Sequence, residues 1–203
     1  MKENQQGRSM LEMLGVLAVI GIISVGGYNI VGKSISLRRN TQIIVDASTL
    51  ASSAKKLACQ YDSGYSSYTY YLYQSEAYPK ELMYSDGVFR GLNDVTYQFQ
   101  YDRATDPSGS DCFKMIISQV DEEECIRIAS SDWGTPQSSG FIGLSVGTTD
   151  EKSYITGCNN NCTGKDNVAV AGTPSYPLTK GKAASSCNSP NNNQIQIWYR
   201  GCR

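Results

Sequence analysis

The sequence predicts an α+β fold, built from one long N-terminal helix, four later strands and a C-terminal region stapled by disulfide bonds. Three observations support this prediction. An apolar run over residues 13–31 is followed by an amphipathic pattern that ends near residue 60. Four later segments have the alternation or the apolar content of strands. Six of the seven cysteines lie after residue 110, in a polar, loop-rich part of the chain.

The apolar run at residues 13–31 is long enough to cross a membrane as a helix. It would measure about 28 Å at the α-helical rise, which matches a hydrocarbon core of ~30 Å with some help from its flanks. One carboxylate, Glu12, directly precedes the run. Because burying a lone carboxylate in hydrocarbon costs at least ~2.5 kcal/mol, Glu12 requires a partner or a function.

A short polar leader that ends in glycine precedes this carboxylate. Gly7 stands five residues before Glu12 and begins the block GRSMLEMLGVLAVIGIISVGGY. The block resembles the class III signal of type IV prepilins and related pilin-like proteins. The resemblance implies that a prepilin peptidase cuts between Gly7 and Arg8 and that Arg8 becomes the N-methylated first residue. It also implies that Glu12, then the fifth residue, forms an assembly salt bridge with the new terminus of an adjacent subunit.

Two points leave this segment open to other interpretations. In an ordinary uncleaved signal anchor, Glu12 would snorkel to the lipid headgroups instead of pairing with a neighbour. Arg8 also departs from the family pattern, in which the first mature residue is usually hydrophobic. Since Arg8 and Glu12 are four residues apart, they can pair within one helix.

The second half of the predicted helix is amphipathic. Its apolar residues recur at steps of four and three and therefore share one helical face. The predicted domains are a leader at 1–7, a transmembrane or filament-core helix at 8–32, an amphipathic helix at 33–60 and an exported head domain at 61–203. The shared apolar face consists of Ile43, Ala47, Leu50, Ala54 and Leu57.

A tyrosine-rich stretch follows the helix, with eight tyrosines between Tyr61 and Tyr84. Recognition surfaces often have this composition, because tyrosine offers apolar area and a hydrogen bond at low entropic cost. The alternative is a loop that packs its own rings on the sheet. Both interpretations stay open at this stage.

Four strands are predicted beyond the tyrosine-rich stretch. Asp121, after the second strand, is a predicted N-cap, because three glutamates follow it where the helix dipole favours acids. Residues 157–193 are rich in Gly, Asn, Ser and Pro and are predicted to be loop. The resemblance implies that the strands form an antiparallel sheet on which the helix packs. The predicted strands are residues 95–101, 113–120, 141–146 and 194–199.

The cysteines indicate a disulfide framework in an oxidising compartment. The competing interpretation is a zinc site from Cys158, Cys162, Cys187 and Cys202, but their spacing differs from that of common zinc ribbons or fingers. We therefore expect no bound metal. The disulfide candidates are Cys112, Cys125, Cys158, Cys162, Cys187 and Cys202.

Six cysteines allow 15 pairings, so the sequence leaves the connectivity open. Cys112 with Cys125 is plausible, because a strand–turn–helix unit would bring them together. Cys187 with Cys202 would staple the C-terminal strand. Cys59 is left over. The order of strand, cysteine and helix is similar to that of the type IVb branch of pilins.

Composition argues against several function classes. The chain has 203 residues, a formal net charge of −1 and no histidine. Nucleic-acid binding has no electrostatic footprint here. The commonest general base and metal ligand is missing, no phosphate-binding glycine loop is present, and no Ser/His/Asp set can form. We therefore expect a protein that is not an enzyme and needs no cofactor.

The resemblance implies a structural subunit of a type IV pilus-like filament. Its partners would be other copies of itself, minor pilins, the prepilin peptidase, the inner-membrane assembly machinery and membrane lipid before assembly. We expect the chain in the bacterial inner membrane with its C-terminal domain exported, and then in an extracellular pilus. Two alternatives remain: a pseudopilin of a type II secretion or DNA-uptake machine, which would be periplasmic, and a membrane-anchored binding or enzymatic domain that never polymerises.

Overall fold

The computed structural model describes residues 6–58, 68–102, 112–135, 138–147, 168–171 and 176–200. The chain forms two compact units, Met1–Thr41 and Gln42–Arg203. The helices are α1 (Gln6–Ala58), α2 (Tyr68–Gln74), α3 (Glu122–Ala129) and α4 (Lys180–Ser186), with a 3-10 turn at Leu92–Asp94. The strands are β1 (Met83–Ser85), β2 (Val88–Arg90), β3 (Thr96–Asp102), β4 (Cys112–Val120), β5 (Phe141–Val146), β6 (Val168–Val170) and β7 (Asn193–Arg200).

The second unit contains one antiparallel sheet in the order β1-β2-β3-β4-β7-β5-β6. The last strand of the chain, β7, thus lies between β4 and β5. The predicted α+β class is confirmed, but the predicted strand number of four is wrong, since the sheet has seven strands. The four predicted strands are present as β3, β4, β5 and β7. The additional strands β1, β2 and β6 have three residues each, too few for an alternating pattern to show.

Two short helices were also missed. Helix α2 lies in the tyrosine-rich stretch, where no helical period is visible over its seven residues. Helix α4 lies in the predicted loop at 157–193 and begins at Thr179, whose hydroxyl accepts from the backbone N–H of Lys182. Both helices are too short to be stable alone, so their contacts with the rest of the domain specify them.

The amphipathic half of α1 supplies the central layer of the core. All five residues of the predicted apolar face are buried, in one cluster with the sheet residues Phe99, Phe113 and Met115. The Tyr97 hydroxyl on β3 donates to the Ile43 carbonyl at 3.5 Å and so joins the helix to the sheet. The apolar stripe read from the sequence is therefore confirmed as the packing face.

Asp121 is the N-cap of α3, as predicted. Its carboxylate accepts from the Glu124 backbone N–H at 2.7 Å, and the Glu124 carboxylate accepts from the Asp121 N–H at 3.0 Å. This reciprocal capping box satisfies two backbone donors at the helix start. Asn93 donates its side-chain amide to the buried Glu124 at 3.4 Å and links the 3-10 turn to α3.

A disulfide joins Cys125 on α3 to Cys187 at the end of α4, with the two Cα atoms 5.8 Å apart. Both suggested pairings, Cys112 with Cys125 and Cys187 with Cys202, are therefore wrong. Cys112 begins β4, whereas α3 follows the other end of that strand, about 26 Å away at ~3.3 Å per residue. Cys187 is already bonded to Cys125, which excludes its pairing with Cys202.

No helix in the parts of the chain that the structure describes is both long and apolar enough to span a membrane. The predicted span at 13–31 lies mostly outside those parts, because side chains are described there only for residues 13–18. The membrane-spanning segment therefore stays a prediction.

A buried carboxylate, Asp46, lies on α1 within the packing region. It accepts from the Gln42 side-chain amide at 2.8 Å. Burial raises the pKa of Asp46 above its ordinary value of 3.8, and the negative charge of Glu81 raises it further, while the bond from Gln42 opposes this. Burial, with Asp46 and Glu124 nearby, also raises the pKa of Tyr97, which keeps its phenol protonated as a donor to α1.

Removing the disulfide should destabilise the second unit. The bridge closes a loop with a sequence separation of 62, for which the chain-entropy model gives about 4 kcal/mol at 25 °C. We expect Cys125→Ala and Cys187→Ala each to lower the free energy of urea unfolding by roughly this amount. Because either change opens the same bridge, the double variant should lose little more than one single variant. Additive losses would contradict the pairing.

Asp46→Asn should stabilise the second unit relative to the wild type, and this gain should grow as pH rises. The folded-state pKa of Asp46 is raised, so its contribution is complete below about pH 4 and is lost as pH rises through that pKa. Asparagine keeps the acceptor for Gln42 but cannot ionise. We expect the gain of Asp46→Asn over the wild type in urea unfolding to be larger at pH 7 than at pH 3.

The matched control for this measurement is Asp86→Asn. The Asp86 side chain is 83% exposed, so it should show no comparable pH-dependent gain. A gain for Asp46→Asn that is the same at both pH values would show that Asp46 is not ionised at a cost in the folded protein.

Candidate functional site

The described start of α1 is an uncovered apolar surface. Met13, Leu14, Val16 and Leu17 are between 58% and 68% exposed. A Cβ placed on Gly15 would meet nothing within 4 Å. A contiguous apolar surface of this kind marks a site of association with a membrane or with another protein.

The predicted processing and assembly residues lie at the start of this helix. The backbone of Gly7, Arg8 and Glu12 is helical, within the first turns of α1. The spacing of four places Arg8 and Glu12 about one turn apart. Their side chains lie outside the described residues, so their assigned roles stay predictions.

Of the predicted disulfide residues, the structure brings together Cys125 and Cys187, both fully buried. The backbone of Cys112 is the first residue of β4, opposite Arg200 on β7. The other predicted residues, Cys158, Cys162 and Cys202, lie outside the described ranges, as does Cys59.

The described part of the chain contains no group of three or more His, Cys, Asp or Glu side chains that could hold a metal ion. The zinc interpretation concerns mostly residues outside that part, and its fourth cysteine, Cys187, is bonded to Cys125. A bonded cysteine does not supply the thiolate that zinc requires.

A groove of about 530 Å³ lies between α1 and the loop before β5. This volume is within the range of small-molecule sites, ~300–1,000 Å³. Gly140, with φ 77°, lets the loop approach closely, because a Cβ there would lie 3.0 Å from the Lys55 Nζ and 3.2 Å from the Arg200 carbonyl oxygen. The lining residues are Ile44, Ser48, Ala51, Ser52, Lys55, Lys56, Asp132, Trp133, Ser138, Ser139 and Tyr199.

The loop wall of the groove is fixed by a tyrosine from a neighbouring segment. The Tyr176 hydroxyl donates to the Asp132 carboxylate at 2.8 Å and also accepts from the Trp133 backbone N–H. The backbone N–H of Gly134 and the Tyr176 hydroxyl hold the pKa of Asp132 below its usual range. The Trp133 indole N–H donates to the Ile128 carbonyl at 3.0 Å. The loop is therefore bonded to Tyr176 and to Ile128 of α3.

The groove hydroxyls are used structurally. Ser48 and Ser52 on α1 donate to main-chain carbonyls one turn earlier, and Ser139 donates to the Trp133 carbonyl at 2.7 Å. None of these bonds joins a serine to a general base. The groove offers shape and mixed polarity rather than an activated nucleophile.

Some tyrosines of the tyrosine-rich stretch pack on the sheet and others face solvent. Each of the two interpretations left open by the sequence therefore holds for part of the stretch. Tyr68 is buried and stacks on Phe113, and Tyr78 packs on Phe89. These rings pack on the sheet. Tyr70 and Tyr73 on α2 are instead 44% and 43% exposed.

The exposed rings form one surface with a strand residue. Tyr73 stacks on Tyr84 of β1, with ring centroids 4.3 Å apart and planes at 14°. Tyr70 lies one turn before Tyr73 on α2. We call Tyr70, Tyr73 and Tyr84 the tyrosine platform.

The groove could not be predicted from the sequence, whereas the tyrosine platform could be predicted in part. The groove joins α1 to a loop some ninety residues later, and no local pattern signals it. The high density of tyrosines is clear from the sequence. Which of them face solvent depends on helix α2, which the sequence does not predict.

Comparison with known proteins places the fold. No protein-family model matches the sequence, and no curated protein matches it. Among solved structures, a type IV b pilin from Salmonella typhi superposes with a TM-score of 0.52 at 17% identity, covering 78% of this chain and 97% of that one. TcpA, a type IV pilin from Vibrio cholerae El Tor biotype, gives a TM-score of 0.45 at 10% identity, with 77% and 98% coverage.

The likeness to the Salmonella typhi pilin extends over nearly the whole of that chain. At this level of identity the comparison establishes architecture. By its architecture, this chain has the type IV pilin fold.

Proposed function

We propose that this chain is a structural subunit of a type IV pilus-like filament, cleaved by a prepilin peptidase and polymerised through the N-terminal half of α1. The observation that supports this most directly is the exposed apolar start of α1 in a chain with a type IV pilin fold. A helix that is apolar and uncovered in the isolated chain needs a lipid or protein environment. A filament subunit lies in lipid before assembly and against other subunits after assembly.

In this proposal the helix first sits in the inner membrane and then joins a bundle of copies. Close approach between helices would be favoured by the small residues Gly15, Ala18, Gly21 and Ser24. The second unit would be exported and would form the outside of the filament. The partners would be other copies, minor pilins, the prepilin peptidase and the assembly machinery of the inner membrane.

Glu12 would set the register between subunits. A buried ion pair gives little net stability over apolar packing, but a buried charge left unpaired costs several kcal/mol. The Glu12 carboxylate would therefore favour the axial stagger that brings it to the α-amino group of Arg8 on an adjacent copy. No catalytic step belongs to this function.

The first test is the mature N-terminus and the effect of Glu12. Mass spectrometry of the exported protein should find a chain that starts at N-methyl-Arg8. Glu12→Ala should leave cleavage intact and abolish filaments, as seen by electron microscopy and shear-fraction assay, because the register charge is lost.

Glu3→Ala is the matched control for Glu12→Ala. It removes the same charge from the leader, which the mature chain would no longer contain, and filaments should form normally. Filaments that contain Met1, or normal filaments from Glu12→Ala, would contradict the proposal. A non-polymerising anchored domain predicts an uncleaved chain that still begins at Met1 and no loss of filaments on Glu12→Ala.

The second test concerns the unusual Arg8. Before assembly, an ion pair between Arg8 and Glu12 on one helix would lower the cost of holding the carboxylate near hydrocarbon. A pair worth roughly 0.5 kcal/mol corresponds to about a twofold effect. We therefore expect Arg8→Phe to lower the ratio of inserted to uninserted chain by about twofold in a fractionation assay.

Arg8→Lys keeps the positive charge and is the control for Arg8→Phe. It should resemble the wild type in insertion and in assembly. Unchanged insertion and unchanged filament yield in Arg8→Phe would show that the pair within one helix has no role.

A further inference from the structure

We propose that the tyrosine platform binds the terminal sugar rings of a neutral glycan. This activity is additional to filament assembly and uses a surface far from the uncovered start of α1 in the sequence. Three features of the platform support it: rigidity, exposed area and neutral polar groups.

Two of the three platform rings, Tyr73 and Tyr84, are braced from the core. Tyr84, which stacks on Tyr73, lies 5.4 Å from the fully buried Phe89. Tyr78 contacts both Phe89 and Tyr73, at 4.9 Å and 6.1 Å between centroids. The ring of Tyr73 is thus held in place before any ligand arrives, which reduces the ordering cost of binding.

The helix that carries two of the three rings is also fixed to the sheet. Thr69 on α2 accepts from the Phe99 backbone N–H of β3 at 2.8 Å and donates to the Phe99 carbonyl at 3.3 Å. These buried bonds set the position of α2, and Tyr70 follows directly. The platform therefore joins one helix and one strand of a packed domain and is no free loop.

The exposed area of Tyr70 and Tyr73 suits a small ligand. A tyrosine has roughly 200 Å² of surface, so Tyr70 and Tyr73 together expose roughly 170 Å² at their observed exposures. A stable protein–protein interface needs about 800 Å² from each partner. One or two sugar rings, with the apolar C–H face of a pyranose on an aromatic ring, match the smaller area.

The polar groups of the platform are those that sugar hydroxyls need. The Gln74 side-chain amide donates to the Tyr70 hydroxyl at 2.8 Å, which orients that phenol and leaves its hydrogen free to donate. Burial, with Tyr70 and Tyr73 nearby, raises the pKa of Tyr84, so the phenol stays protonated. Three neutral hydroxyls beside ring faces fit a neutral polyol better than a charged ligand.

The experiment is saturation-transfer difference NMR on the full chain. The protein is held in lauryldimethylamine oxide, because a detergent with a sugar headgroup would compete. The probes are the methyl α- and β-glycosides of galactose, glucose and N-acetylglucosamine. We expect saturation of the ring C–H protons of at least one glycoside, and ring-proton shifts of tyrosine on titration.

The variants identify the site. Tyr73→Ala and Tyr70→Ala should each weaken binding about tenfold or more, while Tyr73→Phe, which keeps the ring stack, should weaken it less. Tyr70 is 44% exposed and contacts Tyr71 and Gln74 on its own helix, so its removal tests the surface without opening the core. Leu92→Ala, an exposed apolar residue outside the platform, is the matched control and should bind as the wild type.

Two results would overturn the proposal. One is the absence of saturation transfer to every glycoside in the panel. The other is transfer that Tyr70→Ala and Tyr73→Ala leave unchanged, which would locate binding elsewhere. Either result leaves filament assembly untouched, so failure here and failure of the proposed function are distinguishable by the filament yield of the same variants.

Discussion

The second unit depends on one contact, that of the apolar stripe of α1 with the inner face of the sheet. Ile43, Ala47, Leu50, Ala54 and Leu57 repeat at helical spacing and are all buried there. A sheet that leaves one face bare cannot stay folded in water, and α1 covers that face. The bond from the Tyr97 hydroxyl to the Ile43 carbonyl lies in the same contact. One wall of the groove belongs to α1, and Phe89, which supports the tyrosine platform, belongs to the same buried cluster as the stripe.

Where a local pattern has one physical cause, the sequence was sufficient to predict the structure. The stripe of α1 follows from a period of 3.6 residues, and the start of α3 follows from Asp121 and the reciprocal bond with Glu124. The long strands β3, β4, β5 and β7 were located to within one residue at each end. In these places local preference and tertiary packing agree.

Most of the features that the sequence does not predict depend on contacts between distant residues. Strands β1 and β2 are the exception, because Asp86-Gly87 between them is a local hairpin signal, with φ of 54° and 80°. The pair Cys125–Cys187 could not be read from spacing, because it depends on α3 and α4 packing together across 62 residues of chain. The groove and the orientation of Tyr70 and Tyr73 have the same non-local origin.

The central place of β7 has a consequence for how the domain is made. Strands β4 and β5 have no direct pairing with each other, and β7 joins them. Before β7 is in place, the domain holds two half-sheets with bare inner edges. Closure of the sheet therefore waits for the strand that comes after all the others in the described part of the chain. A product truncated before β7 would present two unpaired edges and would be an early target for aggregation or proteolysis.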